Sequence, residues 1–217
     1  MISERIRSVS DVLLLAPVRG LAAEVPPVLR ELESYAPEAM GLGLSEGEMR
    51  GLNEYFVTSE AEPVVPLTTN ETSEVRGLCR FGEVRVPNPT FVELLAWAQG
   101  RGVPVAALDP SDDRTASLFT EHIGYVELVR RTVKERAVSR KPPTPSTPDE
   151  YALAWDRQVA GGRGSRGFAL ARDRDLVRGA QRLGTGRSRI AVVVDRERFD
   201  LVRELLSGRV PDAMGDD

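Results

Sequence analysis

The chain has 217 residues, 41% hydrophobic and 29% charged, with a formal net charge of −4. That length suits one α/β domain, and that composition argues against wholesale disorder. The single Cys79 excludes an intrachain disulfide and any Cys-clustered zinc site, and no apolar run reaches the roughly 20 residues that span a bilayer.

The opening stretch MISERIRSVSDVLLL lacks a signal peptide's layout, because Glu4 and Asp11 interrupt it, so a cytoplasmic protein that does not enter membranes is expected. Residues 12–16 (VLLLA) form the first short apolar run, which reads as a strand covered on both faces. Residues 23–35 put Val25, Val28, Leu29 and Leu32 on one helical face, with Pro26 and Pro27 tolerable in the first turn. Residues 39–44 are a weaker strand, since Gly41 and Gly43 lower the β propensity. A helix then starts near Asn88, which can cap with Pro89 following; Thr90 and Glu93 could instead form a capping box. Its stripe is Phe91, Leu94, Leu95 and Ala98, it ends at Gly100 and Gly102, and residues 103–108 follow as a strand.

Phe119, Ile123, Val126, Val129 and Val133 recur at helical spacing, so residues 117–136 are expected to be the longest helix, with that face inward. SRKPPTPSTP, residues 139–148, should be an extended, solvated connector, after which Thr147 caps a helix beginning near Pro148. GGRGSRG, residues 161–167, is expected to be a mobile surface loop. Helix 168–183, strand 190–194 and helix 199–206 complete the domain, the last with Phe199, Val202 and Leu206 inward, and residues 208–217 form a flexible tail. This alternation predicts a single α/β domain over residues 1–217, with a largely parallel central sheet and helices on both faces. Ligands of such sheets bind beyond the carboxyl ends of the strands, here residues 17–20, 43–47, 109–114 and 195–198.

At those strand ends the sequence resembles the TraB/PrgY-like proteins, relatives of the TIKI metallopeptidases and the ChaN-like group. DVLLLAPVRGLAAEVPPVLREL followed by YAPEAMGLGLSEGEMRGL is similar to that family's opening strand, helix and second strand. FVELLAWAQGRGVPVAALDPSDDRTASLF matches its middle layout, with Asp109 and Thr115 in place. ALARDRDLVRGAQRL resembles a later helix, with Arg174 at its arginine position, and IAVVVDRERFDLVREL stands for its last strand and helix. The resemblance implies a TraB/ChaN-like fold. It does not imply the activity, because Arg19, Gly43 and Glu197 or Arg196 stand where the family has His, Glu and His. A catalytic metal needs about three protein ligands and an open position, and a permanent cation at residue 19 would repel it.

The expectation is therefore a pseudoenzyme: a binding or regulatory module for a small anionic ligand or peptide, without metal or cofactor. Its candidate pocket is Arg19, Asp109, Arg114, Arg174, Asp195 and Glu197, with Asp109 salt-bridged to Arg114 or Arg174. One alternative is a metal-independent hydrolase in which Glu197 or Asp109 is the general base and Arg19 steadies an anion. Another is nucleotide or RNA binding through Gly162, Arg163, Gly164, Arg166 and Gly167, which spell G-x-G-x-x-G without the preceding strand a dinucleotide site requires. Residues 157–189 carry nine arginines against Asp173 and Asp175, which favours anion contacts, yet the chain as a whole is too acidic for a broad nucleic-acid binder.

The plainer readings are a half-buried helix position for His122, a core position for Cys79, capping for Ser111, Asp112 and Asp113, and a solvated basic face for residues 130–141. A homodimer is expected on base rates alone.

Overall fold

Two of the apolar runs, 12–16 and 190–194, pair at the centre of one sheet and 103–108 forms its far edge in the computed structural model, which describes residues 1–7, 10–57 and 68–209, the side chains at 56, 57, 69 and 70 excepted. The strands are β1 (Ile2–Arg7), β2 (Asp11–Ala16), β3 (Ala39–Leu42), β4 (Val105–Ala107) and β5 (Arg189–Val193), in the spatial order β1-β2-β5-β3-β4. Pairing is parallel except for β1, which runs antiparallel along β2 at one edge. The largely parallel sheet expected from the sequence is thus present. The edge strand β1 is an addition, and β4 is shorter than its apolar run.

The helices are α1 (Val25–Tyr35), α2 (Glu46–Val57), α3 (Thr69–Leu78), α4 (Pro89–Arg101), α5 (Asp112–His122), α6 (Tyr125–Arg140), α7 (Pro148–Ala160), α8 (Arg163–Gly184) and α9 (Phe199–Leu206). Strand alternation divides the core between the two faces. Leu13, Leu15, Ala191 and Val193 pack with Val28 and Leu32 of α1 and Phe91 and Leu94 of α4. Val12, Leu14, Ile190 and Val192 pack with Leu176 and Val177 of α8 and Phe199 and Val202 of α9. A third cluster joins Val18 and Leu21, just past β2, to Leu78 of α3, Val138 of α6 and Tyr151 and Trp155 of α7. This cluster puts a layer of helices beside the carboxyl end of β2, and Arg196 holds α7 there through a 2.9 Å bond from its Nε to Asp149.

Several local expectations need correction. Residues 117–136 are not one helix: Ile123 is extended (φ −102°, ψ 97°) and Gly124 opens α6 from an extended conformation, so α5 ends at His122. The apolar stripe read across that break does not face the core, because Val126, Val129 and Val133 are exposed. The longest helix among the described residues is α8. It absorbs most of the expected 161–167 loop, since Arg163, Gly164, Arg166 and Gly167 lie in its first turns. The connector shrinks to residues 141–147, because α6 runs to Arg140 and Pro148 begins α7. Cys79 is exposed. Of the expected tail, residues 210–217 lie outside the described residues.

Candidate functional site

The strand ends hold two charged groups rather than one pocket. The first is centred on Arg198, which β5 and the short 3-10 turn Arg196–Arg198 deliver to the ends of β3 and β4. A guanidinium has five N–H donors, and here all five are used. Nη1 donates to Asp109 Oδ2 at 2.9 Å and to the Gly43 carbonyl at 3.3 Å. Nη2 donates at 2.6 Å to both Asp109 Oδ1 and Asp173 Oδ1, and Nε donates to Asp173 at 3.0 Å. Arg198 is 4% exposed and Asp173 1%. Burial opposes the charge of Arg198, but Asp173 and Asp109 outweigh it and hold its pKa above the ordinary value. Gly43 makes this approach possible, since a Cβ there would stand 3.0 Å from Nη1 and 3.2 Å from Val194. Asp109 therefore closes the sheet end with Arg198, not with Arg114 or Arg174 as expected from the sequence.

The second group lies at the ends of β2 and β5. Arg19 is exposed and faces Asp195 first, then Glu74 of α3 and Glu197, all of which raise its pKa. Asp195 is buried, and its Oδ1 has no hydrogen-bond partner among the described residues. Burial raises its pKa despite Arg19 and Arg198. Burial and then the neighbouring Asp195 push Glu197 up to about 8. Burial also pushes Glu74 up to about 7 against the opposing charge of Arg19. The pocket beside Arg19 and Glu74, which also touches Glu71 and Asn88, holds only about 60 Å³. That is room for a few water-sized groups and no more.

The large concavity lies elsewhere. A cleft of about 790 Å³ runs between α5, the start of α6 and one face of α8, lined by Arg114, Arg130, Arg163, Arg174 and Arg178 and by two acids, Glu121 and Glu127. Arg163, Leu170, Arg174 and Arg178 share a face of α8 because they recur at helical spacing. Asp175 pairs with Arg114 at 3.3 Å and with Arg178 at 3.2 Å, which uses part of their charge. Arg130, Arg163 and Arg174 have no carboxylate within ion-pair distance among the described residues. Glu127 is also committed, since its Oε1 accepts from the Ser165 N–H at 3.3 Å and the Ser165 hydroxyl at 3.2 Å. A carboxylate from α6 thereby caps the amino end of α8, where Gly162 supplies no side chain.

The cleft brings together residues from both sequence-derived candidates: Arg114 and Arg174 from the pocket, Arg163, Gly164 and Gly167 from the presumed loop. Arg19, Asp195 and Glu197 cluster separately, Asp109 joins Arg198, and Arg166 is exposed without lining the cleft. The glycines of G-x-G-x-x-G serve packing. A Cβ on Gly164 would run into the His122 carbonyl, and one on Gly167 would stand 2.9 Å from His122 Nδ1. His122 is half-buried at the end of α5, and Ser111 caps that helix by accepting from the Arg114 N–H at 3.3 Å.

Sequence reasoning missed Arg198 and Asp173. A signal for the second was present, since Asp173, Leu176, Val177 and Ala180 follow the i, i+3, i+4, i+7 pattern of a buried stripe. Among the described residues no group of three or more His, Cys, Asp or Glu side chains is placed to hold a metal ion, and no helix is long and apolar enough to cross a membrane. No family model matches the chain, and no curated protein sequence matches it.

Proposed function

We propose that the chain is a non-catalytic binding module whose anionic ligand sits in the arginine-lined cleft between α5, α6 and α8. One observation carries this reading: five arginines surround the cleft, and three of them lack a carboxylate partner among the described residues. Unpaired guanidiniums converging on a concave surface favour carboxylate or phosphate groups, through bidentate hydrogen bonds as well as charge. A divergent, metal-free member of the TraB/PrgY-like group, working in the cytoplasm, is part of the same proposal. Its support is the order of strands and helices, with Arg19 and Glu197 standing in place of histidines.

The test is fluorescence anisotropy of the full chain with labelled polyglutamate and polyphosphate at low salt. Binding to at least one probe should weaken as salt rises. The variant Arg163→Glu/Arg174→Glu should lose about tenfold or more in affinity, equivalent to about 1.4 kcal/mol. Both residues are exposed, so an unchanged melting temperature checks the fold. Binding that ignores this charge reversal, or no binding to either probe, defeats the reading.

The second reading, a metal-independent hydrolase, has its own support. Glu197, raised to about 8, would hold its proton at neutral pH beside Arg19, which suits a general acid and not the general base expected from the sequence. The adjoining space of about 60 Å³ weighs against it. Ester hydrolysis by the wild type that disappears in Glu197→Gln would put this reading ahead.

A further inference from the structure

We infer that the α6 ridge and the arginine cleft together seat an acidic amphipathic helix from a partner protein. This rests on the anion-binding reading of the cleft and adds the identity of the ligand. The observation is an apolar helix face that no described residue covers. Val126, Val129 and Val133, at steps of three and four, are 72%, 46% and 61% exposed, and Tyr125 beside them is 81% exposed. Of the six large hydrophobic side chains exposed among the described residues, five are on α6, so the patch is concentrated and not scattered. The opposite side of α6 is anchored, since Val138 is buried in the cluster shared with α3 and α7.

Charge selects the occupant. Residues 125–140 carry Arg130, Arg131, Lys134, Arg136 and Arg140 against Glu127 and Glu135. Glu127 caps α8, and Glu135 is paired with Arg131 at 3.0 Å. A second copy packing α6 on α6 would set these cations against one another, which is unfavourable for an interface. An acidic helix reverses the sign of that term.

Shape points the same way. Val126 and Arg130 belong to the ridge and also line the cleft, so the apolar and cationic surfaces are continuous. From Val126 to Val133 the ridge spans about 10 Å, and from Arg163 to Arg174 the α8 wall spans about 16 Å, at about 1.5 Å per residue. Those lengths match two to three helical turns, whose apolar residues at i, i+3 or i+4, and i+7 would lie on the valines. Carboxylates along one flank would reach Arg130, Arg163 and Arg174. A lipid surface fits less well, because a concave groove follows a rod and the exposed anchors are mainly valines where interfacial helices use Trp, Phe and Leu.

The experiment is anisotropy on the full chain with three labelled peptides of about four helical turns each. The first is a Leu/Glu amphipathic helix, the second its scrambled isomer, and the third the same helix with Lys replacing Glu. Vesicles containing phosphatidylserine form a fourth arm. The amphipathic acidic helix should bind at least tenfold more tightly than its scrambled isomer, and the Lys helix should not bind.

Val129→Asp/Val133→Asp should abolish that preference, and Val129→Thr/Val133→Thr should reduce it while keeping side-chain shape. Arg163→Glu/Arg174→Glu should lose both acidic peptides. Equal binding of the two acidic peptides overturns this inference and leaves the anion-binding reading standing. Failure of both acidic peptides and of polyphosphate overturns the two together. Vesicle binding that depends on the valines, without peptide binding, overturns the inference in favour of a membrane surface.

Discussion

Replacing Arg198 with Met removes the cation shared by the buried Asp173 and the half-buried Asp109, and leaves Asp173 only the 3.4 Å contact from Arg172 Nε. Asp173 is 1% exposed and Asp109 12%, so neither can recover its lost hydrogen bonds from bulk water without rearrangement. Breaking a buried pair by removing one partner costs about 3–5 kcal/mol, because an uncompensated charge remains. For a chain of this size each kcal/mol moves the melting temperature by about 2–4 °C, so a fall of roughly 6–20 °C is expected. The assay is calorimetry combined with urea unfolding, in which the midpoint should fall and the slope stay constant. Adding Asp173→Asn to Arg198→Met should recover part of the loss, since one stranded charge is gone, and a double-mutant cycle should give a coupling of about 1–3 kcal/mol. An Arg198→Met variant within 1 kcal/mol of the wild type would refute the reasoning, because it would mean that the network is already hydrated. The variant should still bind anions at temperatures where it remains folded, because Arg198 does not line the cleft.

Glu197 makes stability depend on pH in a defined direction. Its pKa is about 8 in the folded chain against the usual 4.5, so the folded state holds the extra proton between those values. Stability should therefore fall as pH rises from about 4.5 through 8, and a Glu197→Gln variant, followed by thermal melts across that range, should show a flatter profile than the wild type. Two glycines should respond in opposite directions in denaturant titrations. Gly100 lies within α4 with open space around its Cβ position, so Gly100→Ala should stabilise by roughly 0.5–1 kcal/mol. Gly164 faces the His122 carbonyl, so Gly164→Val should destabilise and disturb the junction of α5 and α8.

The central strands were legible because both of their faces are buried, which makes apolar residues continuous along 12–16 and 190–194. The edge strand β1 was not, since in ISERIR only Ile2 and Ile6 pack against the core and the polar Ser3, Glu4 and Arg5 stand between them. Helices α2 and α3 were also passed over, although each carries a readable start. Ser45 and Glu48 exchange side-chain bonds at 3.2 and 2.8 Å, and Thr68 and Glu71 do the same at 3.2 and 2.8 Å. The false continuity of helix 117–136 has a different cause. Periodicity reports that a stripe exists and says nothing of what covers it, so the buried Ile123 and the exposed Val126 look alike in sequence.

The divided fate of the candidate pocket follows from how the chain closes its sheet. In an open α/β sheet the carboxyl ends of the strands leave a crevice, and ligands use it. Here the ends of β3, β4 and β5 are occupied by the Arg198 network, and the end of β2 meets α3 and α7. An ion cluster fills the crevice there, and every donor of Arg198 already has an acceptor. The cleft arginines without a carboxylate partner among the described residues are Arg163 and Arg174 on α8 and Arg130 on α6. On the proposed reading, anion binding falls to this helical cover rather than to the sheet, and backbone position there depends on helix packing rather than on strand pairing. A ligand there would meet side chains of three helices, so its affinity should respond to changes at the α5–α6 break around Gly124 while the sheet remains intact.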